Sequence, residues 1–164
     1  MELLKPESCK KKLFYAISLF LFCLILIYWK ALFTHKSLFW RDTLHTYYPF
    51  FEFFRKYIFQ GDFPFWNPFL FTGTPQFASP EPPLLYPSTW LFVFIPFSKA
   101  LTINLILHSL LAALGIYLLG QIYKLQWLTS IFSACSFIFC GIYFSLNNVF
   151  PLIWTCSWIP LLIY

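Results

Sequence analysis

Charge is what this chain has least of: only 10% of its residues are Asp, Glu, Lys or Arg, against about 25% in ordinary globular domains. With 60% apolar residues, 24% aromatic residues and a mean hydropathy of +0.70, that scarcity excludes a water-soluble bundle, whose surface would carry large sticky patches. The composition is that of an integral membrane protein. Acidic residues are few, which leaves a net charge of +5, but this does not point to nucleic acid. Lys5, Lys10, Lys11 and Lys12 cluster beside the first apolar run, where basic side chains mark the cytoplasmic flank of an inserted helix. Glycine is also sparse, and there is no Gly-rich phosphate loop and no HExxH. The five cysteines, Cys9, Cys23, Cys135, Cys140 and Cys156, match no zinc spacing and read as small hydrophobes. No internal repeat or low-complexity tract is evident.

What is present is a succession of apolar runs. Residues 1–12 form a basic tail that the lysines assign to the cytoplasm. Residues 13–33 form the first transmembrane helix, read as an uncleaved anchor because the run is long and lacks a small-residue cleavage site. Residues 34–97 then form a long extracytoplasmic loop. Within it, residues 49–59 predict a short interfacial helix, opened by Pro49, closed by Gly61 and apolar over most of its circumference. Glu52 is placed to pair with Arg55 and Lys56 at i+3 and i+4. Pro64, Pro68, Pro75, Pro80, Pro82, Pro83 and Pro87 follow, which excludes a long helix or a central strand and predicts a folded, irregular, aromatic-rich segment. Residues 91–97 are too short to span. Residues 98–164 hold three further transmembrane segments, at about 100–123, 128–146 and 149–164. The last has no closing flank and reads as truncated. The expected fold class is therefore an all-α integral membrane protein with about four transmembrane helices and a structured first loop.

The loop carries Asp42, Glu52, Asp62 and Glu81, so the chemistry is sought there. Asp42, beside Arg41 and three residues before His45, stands where an enzyme can meet a substrate arriving in the outer leaflet. If that substrate is a sugar on a polyprenyl phosphate, Asp42 can deprotonate the acceptor hydroxyl or hold a divalent cation, while basic groups stabilise the departing phosphate. The alternative is an interfacial Arg-Asp pair that caps the next helix. Asp62 follows Gly61 in ordinary turn chemistry, and Glu81 lies between two prolines as a rigid ligand or a solvated charge. Asn104 and His108 share one face of the second long span. They are either functional intramembrane groups or a helix-to-helix hydrogen bond.

The order Asp42, Tyr47-Tyr48-Pro49, Gly61-Asp62-Phe63-Pro64-Phe65-Trp66-Asn67-Pro68, Gly73-Thr74-Pro75 and Leu85-Tyr86-Pro87 resembles the amino-terminal region of the bacterial YfhO-type membrane proteins. The likeness runs on through Asn104 and His108 to Trp158-Ile159-Pro160. The resemblance implies a GT-C-like polytopic glycosyltransferase. Such a protein uses a polyprenyl-phosphate-sugar donor lipid and an envelope glycan acceptor at the outer face of the cytoplasmic membrane. It implies Asp42 as the essential acid; Arg41, His45, Asp62, Trp66, Asn67, Glu81 and His108 are the candidate substrate-binding residues. No fixed cofactor is implied beyond that possible cation. Two other classes stay open: a non-catalytic scaffold or flippase-like partner in envelope polysaccharide biogenesis and, more weakly, a solute transporter.

Overall fold

The computed structural model describes residues 6–34, 36, 38, 42–78 and 83–164. The protein is mostly helical (77%), and three of its helical runs, Lys10–Phe33, Phe97–Ile122 and Trp127–Asn148, are long and apolar enough to cross a membrane. The chain divides into two compact units. One comprises residues 1–29, 105–147 and 152–164, and the other residues 30–104 and 148–151. Two long helices, α1 (Pro6–Phe33) and α4 (Phe97–Ile122), contribute residues to both. At 1.5 Å per residue they are about 42 and 39 Å long, more than the roughly 30 Å of a hydrocarbon core.

The first unit holds most of α1, all of α5 (Trp127–Ile138), most of α4, the short α6 (Gly141–Ser145) and most of α7 (Phe150–Ile163). Small residues let these helices approach. A Cβ on Gly115 would meet Cβ of Pro160 at 2.7 Å, and one on Gly120 would meet Oγ of Ser130 at 2.6 Å. This is the small-residue packing expected where no hydrophobic effect drives helices together. The Trp127 indole donates to the carbonyl of Lys12 at 3.3 Å.

The third apolar run, expected as a span over 128–146, is long enough to cross as Trp127–Asn148 but is interrupted within it. Its helix stops at Phe139, and Cys140 takes an extended conformation (ψ 147°). The run restarts as α6, with the Cys140 thiol accepting the Tyr143 amide at 3.4 Å, and ends in a 3₁₀ turn at Leu146–Asn148. The sulfur and the new turn take up backbone groups that the break would otherwise leave unbonded. Helix α7 has 14 residues, about 21 Å by the same rise and shorter than a hydrocarbon core.

The second unit is built on an aromatic cluster. Helix α2 (Tyr48–Phe59) buries Phe50, Phe51 and Phe54. Phe51 stacks on Phe92 of α3 (Leu91–Phe94) at 3.9 Å, and Phe54 meets Trp90 edge-on at 5.5 Å. Phe150 closes the cluster against Tyr47 at 4.5 Å. Stacked and edge-to-face pairs of this kind each add about 0.5–1.5 kcal/mol beyond their buried area.

Helix α2 begins earlier than the expected residue 49, because a π-helical turn, Thr43–Tyr47, runs directly into it. It ends in a paired hydrogen-bond cap. The Gly61 amide reaches Ile58 O at 3.1 Å, the Asp62 amide reaches Tyr57 O at 3.0 Å, and Gly61 has φ +83°, the left-handed conformation such a helix end requires. The Glu52 pairing expected within α2 does not form. Arg55 lays its guanidinium over the Phe59 ring, 5.6 Å from the centroid.

The proline-rich segment is more ordered than its composition suggested. Trp66–Asn67 (β1) pairs antiparallel with Thr74–Pro75 (β2), with Trp66 opposite Pro75 and Asn67 opposite Thr74. A ladder only two residues long tolerates a proline that a central strand would not.

Candidate functional site

Two concavities in the second unit are lined by described residues. The larger, a groove of about 750 Å³, lies between the π-turn with α2 on one side and the β1–β2 hairpin on the other. His45 and Thr46 come from the π-turn, Phe53 from α2, and Asn67, Phe69 and Gln76 from the hairpin and its sequel.

The hairpin keeps its shape because its polar groups are used internally. Asn67 is buried, donates through Nδ2 to Oε1 of Gln76 at 2.7 Å, and accepts the Phe69 amide on Oδ1 at 2.9 Å. The connecting loop turns through Phe71 (φ 46°), Thr72 (φ 63°) and Gly73 (φ 114°). At Gly73 any side chain would collide with Trp66, whose ring lies 2.4 Å from the position a Cβ would take.

The smaller pocket, about 350 Å³, is walled by Thr43, Tyr48, Glu52 and Arg55 from the π-turn and α2, and by Phe97 and Ser98 from the start of α4. Next along α4 is Lys99, whose ammonium is turned to α1. That ammonium donates to the carbonyls of Ala31 at 2.9 Å, Leu32 at 2.5 Å and Thr34 at 2.6 Å, so it caps the C-terminus of α1 with charge of the sign a helix end favours.

The residues singled out from the sequence are distributed unevenly over these features. Asp42 is exposed at the N-cap position of the π-turn, in helical conformation, and makes no side-chain cap hydrogen bond, so the capping role weighed for it is not what the carboxylate does. His45 is exposed and lines the groove together with Asn67, so the structure brings these two together. Asn67 is committed to holding the hairpin. Trp66 is 54% exposed and lies over Gly73. Asp62 is an exposed turn residue whose amide closes the α2 cap, and it lines neither concavity. Arg41 and Glu81 lie outside the described residues.

His108 is buried in the first unit and stacks on Trp154 at 5.7 Å. Asn104, in the second unit, is buried and donates to the Ser88 carbonyl at 3.3 Å. Sequence reasoning missed Gln76, Thr43 and the cap formed by Lys99. Nothing in local pattern marks them: Gln76 and Lys99 act on residues that only the fold brings near, and the burial of Thr43 is set by the fold.

Among the described residues no three His, Cys, Asp or Glu side chains cluster as metal ligands. Comparison with protein-family models, curated proteins and solved structures gives no match for this chain.

Proposed function

We propose that this protein takes part in glycosyl transfer from a polyprenyl-phosphate-linked sugar to a cell-envelope acceptor, at the extracytoplasmic face of a bacterial cytoplasmic membrane, as a YfhO-type, GT-C-like protein. In this reading α1, α4 and the α5–α6 run cross the membrane, with the lysine-rich N-terminus inside. The contact between Trp127 and the Lys12 carbonyl supports the topology. It sets the lysine-flanked start of α1 and the Lys124 turn before α5 at one end of the first unit, as the positive-inside rule requires of cytoplasmic flanks.

The observation that carries the reading is the state of Asp42. It is an exposed carboxylate with no cap bond, at the head of a π-turn whose next turn presents His45 to an aromatic groove. Short π-helical turns recur at functional sites because they re-aim side chains. The aromatic faces of the groove suit packing against a glycan ring. The acceptor hydroxyl attacks the anomeric carbon, Asp42 takes its proton, and the bond from that carbon to the phosphate oxygen breaks, releasing polyprenyl phosphate.

Asp42→Asn should lower transfer from a radiolabelled lipid-linked sugar by roughly 10²–10⁴-fold, the usual worth of a general base. The amount of protein in the membrane should stay the same. Undiminished transfer would remove Asp42 from the chemistry. A second reading, a non-catalytic scaffold or flippase-like partner, is favoured by the packing of Trp66 on Gly73, which makes the loop a fixed shape for a partner to recognise. It requires that Asp42→Asn be silent while Trp66→Ala blocks the pathway.

A further inference from the structure

The 350 Å³ pocket has a chemistry of its own that glycosyl transfer does not use. Glu52 and Arg55 lie one turn apart on α2 and both face it, yet Arg55 sits on Phe59 rather than on Glu52. Opposite charges in a sheltered concavity attract strongly, so two that stay apart present one anionic and one cationic subsite.

The cationic side is reinforced by the start of α4. Phe97 and Ser98 line the pocket, and the first turn of this 26-residue helix carries no acidic residue, so its amides and dipole favour an anion there. An independent observation comes from Thr43. It is only 4% exposed, lines the same pocket, and its hydroxyl has no hydrogen-bond partner. A buried hydroxyl left unbonded is costly, and a ligand oxygen removes the cost. Leu38, Leu44 and Pro96 complete the wall with apolar surface.

We propose that this pocket binds the phosphoethanolamine headgroup of a membrane phospholipid. The phosphate lies against Arg55, the Thr43 hydroxyl and the α4 N-terminus. The ammonium lies against Glu52, and the leucines and Pro96 flank the first carbons of the lipid. Guanidinium is matched to a phosphodiester by its fork of donors, and an ammonium bonded to a carboxylate is among the stronger pairings available. An anionic headgroup leaves Glu52 facing no cation. A quaternary choline has no N–H to give it. The inference does not rest on the glycosyltransferase reading.

The test is native mass spectrometry of the purified full chain, exchanged into phosphatidylethanolamine, phosphatidylglycerol or phosphatidylcholine, scoring the lipid retained. Phosphatidylethanolamine should be retained about tenfold over the other two, and Arg55→Gln and Glu52→Gln should each remove about that factor, the usual worth of one charge-assisted bond. Thr43→Val should lower retention about threefold without loss of stability, because the hydroxyl it deletes bonds nothing in the protein. That variant keeps the proposal testable if the charge variants fold poorly. Equal retention of all three lipids, or retention unchanged in Thr43→Val and both charge variants, overturns the proposal. Free phosphoethanolamine binding as tightly as the lipid overturns the assignment to a membrane source.

Discussion

The two units spend their polar side chains differently. In the helical unit, polar groups join helix to helix. The Asn147 amide donates to Tyr28 Oη at 3.0 Å, Tyr143 and Ser157 share a hydroxyl bond at 2.8 Å, and Gln121 donates to Ser130 at 2.9 Å. In the loop unit they hold irregular backbone. Lys99 bonds three carbonyls at the end of α1, Asn67 bonds the Phe69 amide, and the Thr89 hydroxyl bonds the Pro83 carbonyl at 2.8 Å. A helix satisfies its own backbone, so its side chains are left to choose neighbours. A proline-rich loop does not, so its side chains must serve the main chain first. Against that pattern, Asp42 makes no cap bond, and the buried Thr43 hydroxyl has no partner, as is also true of Ser88 Oγ and Asn148 Oδ1; of these, Thr43 lines a pocket and has something left to bind.

If that contrast is right, substitutions in the loop unit should be the more damaging, and Gly73→Val should be the worst. It adds a branched side chain at φ +114° and drives it into the Trp66 ring. Backbone strain and overpacking each cost about 1–3 kcal/mol, so a loss of about 2–6 kcal/mol is expected. Gly61→Ala is the control, because its φ of +83° carries the strain but nothing lies within 4 Å of the added carbon, leaving about 1 kcal/mol. Limited proteolysis between β1 and β2 in detergent should accelerate sharply for Gly73→Val and little for Gly61→Ala. Equal acceleration would show that Trp66 does not clamp the hairpin.

Next in size is Lys99→Met, which keeps the stem and removes the ammonium. It frees the terminal carbonyls of α1, and a charged hydrogen-bond donor is worth about 1.5–3 kcal/mol. Thermal unfolding in detergent should report a loss of that order. Lys99→Arg, which retains charge and donors, should recover a good part of it, and no recovery would assign the effect to packing.

Much of the helical framework was legible in the sequence because hydrophobic length and flanking lysines are local properties. The proline in the first turn of α2 and the glycine that follows its end obey backbone rules confined to a few residues, whereas the π-turn that runs into α2 left no such mark. Other features depended on contacts between distant residues. Lys99 carries no local sign of its capping role, because its acceptors lie more than sixty positions earlier. The β1–β2 ladder was hidden by Pro75, which argues against a strand unless the strand is two residues long. The break at Cys140 is masked by an apolar run that continues on both sides of it. At the candidate site, Asp42 and His45 were legible as polar residues in an aromatic stretch. The Asn67–Gln76 bond that shapes their groove was not, because amides nine positions apart reveal a partnership only once the chain has turned.

The smallest effect expected is in the helical unit, at Tyr28 and Asn147. Both side chains are buried, and the amide oxygen of Asn147 has no hydrogen-bond partner; burial alone would assign this pair a large share of that unit's stability. Two considerations argue otherwise. The Tyr28 ring also stacks with Phe144 at 6.5 Å, and Tyr28→Phe keeps that packing. Within a membrane, moreover, the unfolded chain remains helical and its polar groups find other partners, so inter-helix hydrogen bonds average only about 0.6 kcal/mol and reach about 1.7 at most. A double-mutant cycle of Tyr28→Phe and Asn147→Leu, followed by unfolding in mixed micelles, should therefore give a coupling near the lower figure and well below the Lys99→Met loss. A coupling above about 2 kcal/mol would exceed that ceiling and erase the difference between the units. It would make the Tyr28–Asn147 contact a structural keystone on the same footing as the cap that Lys99 provides.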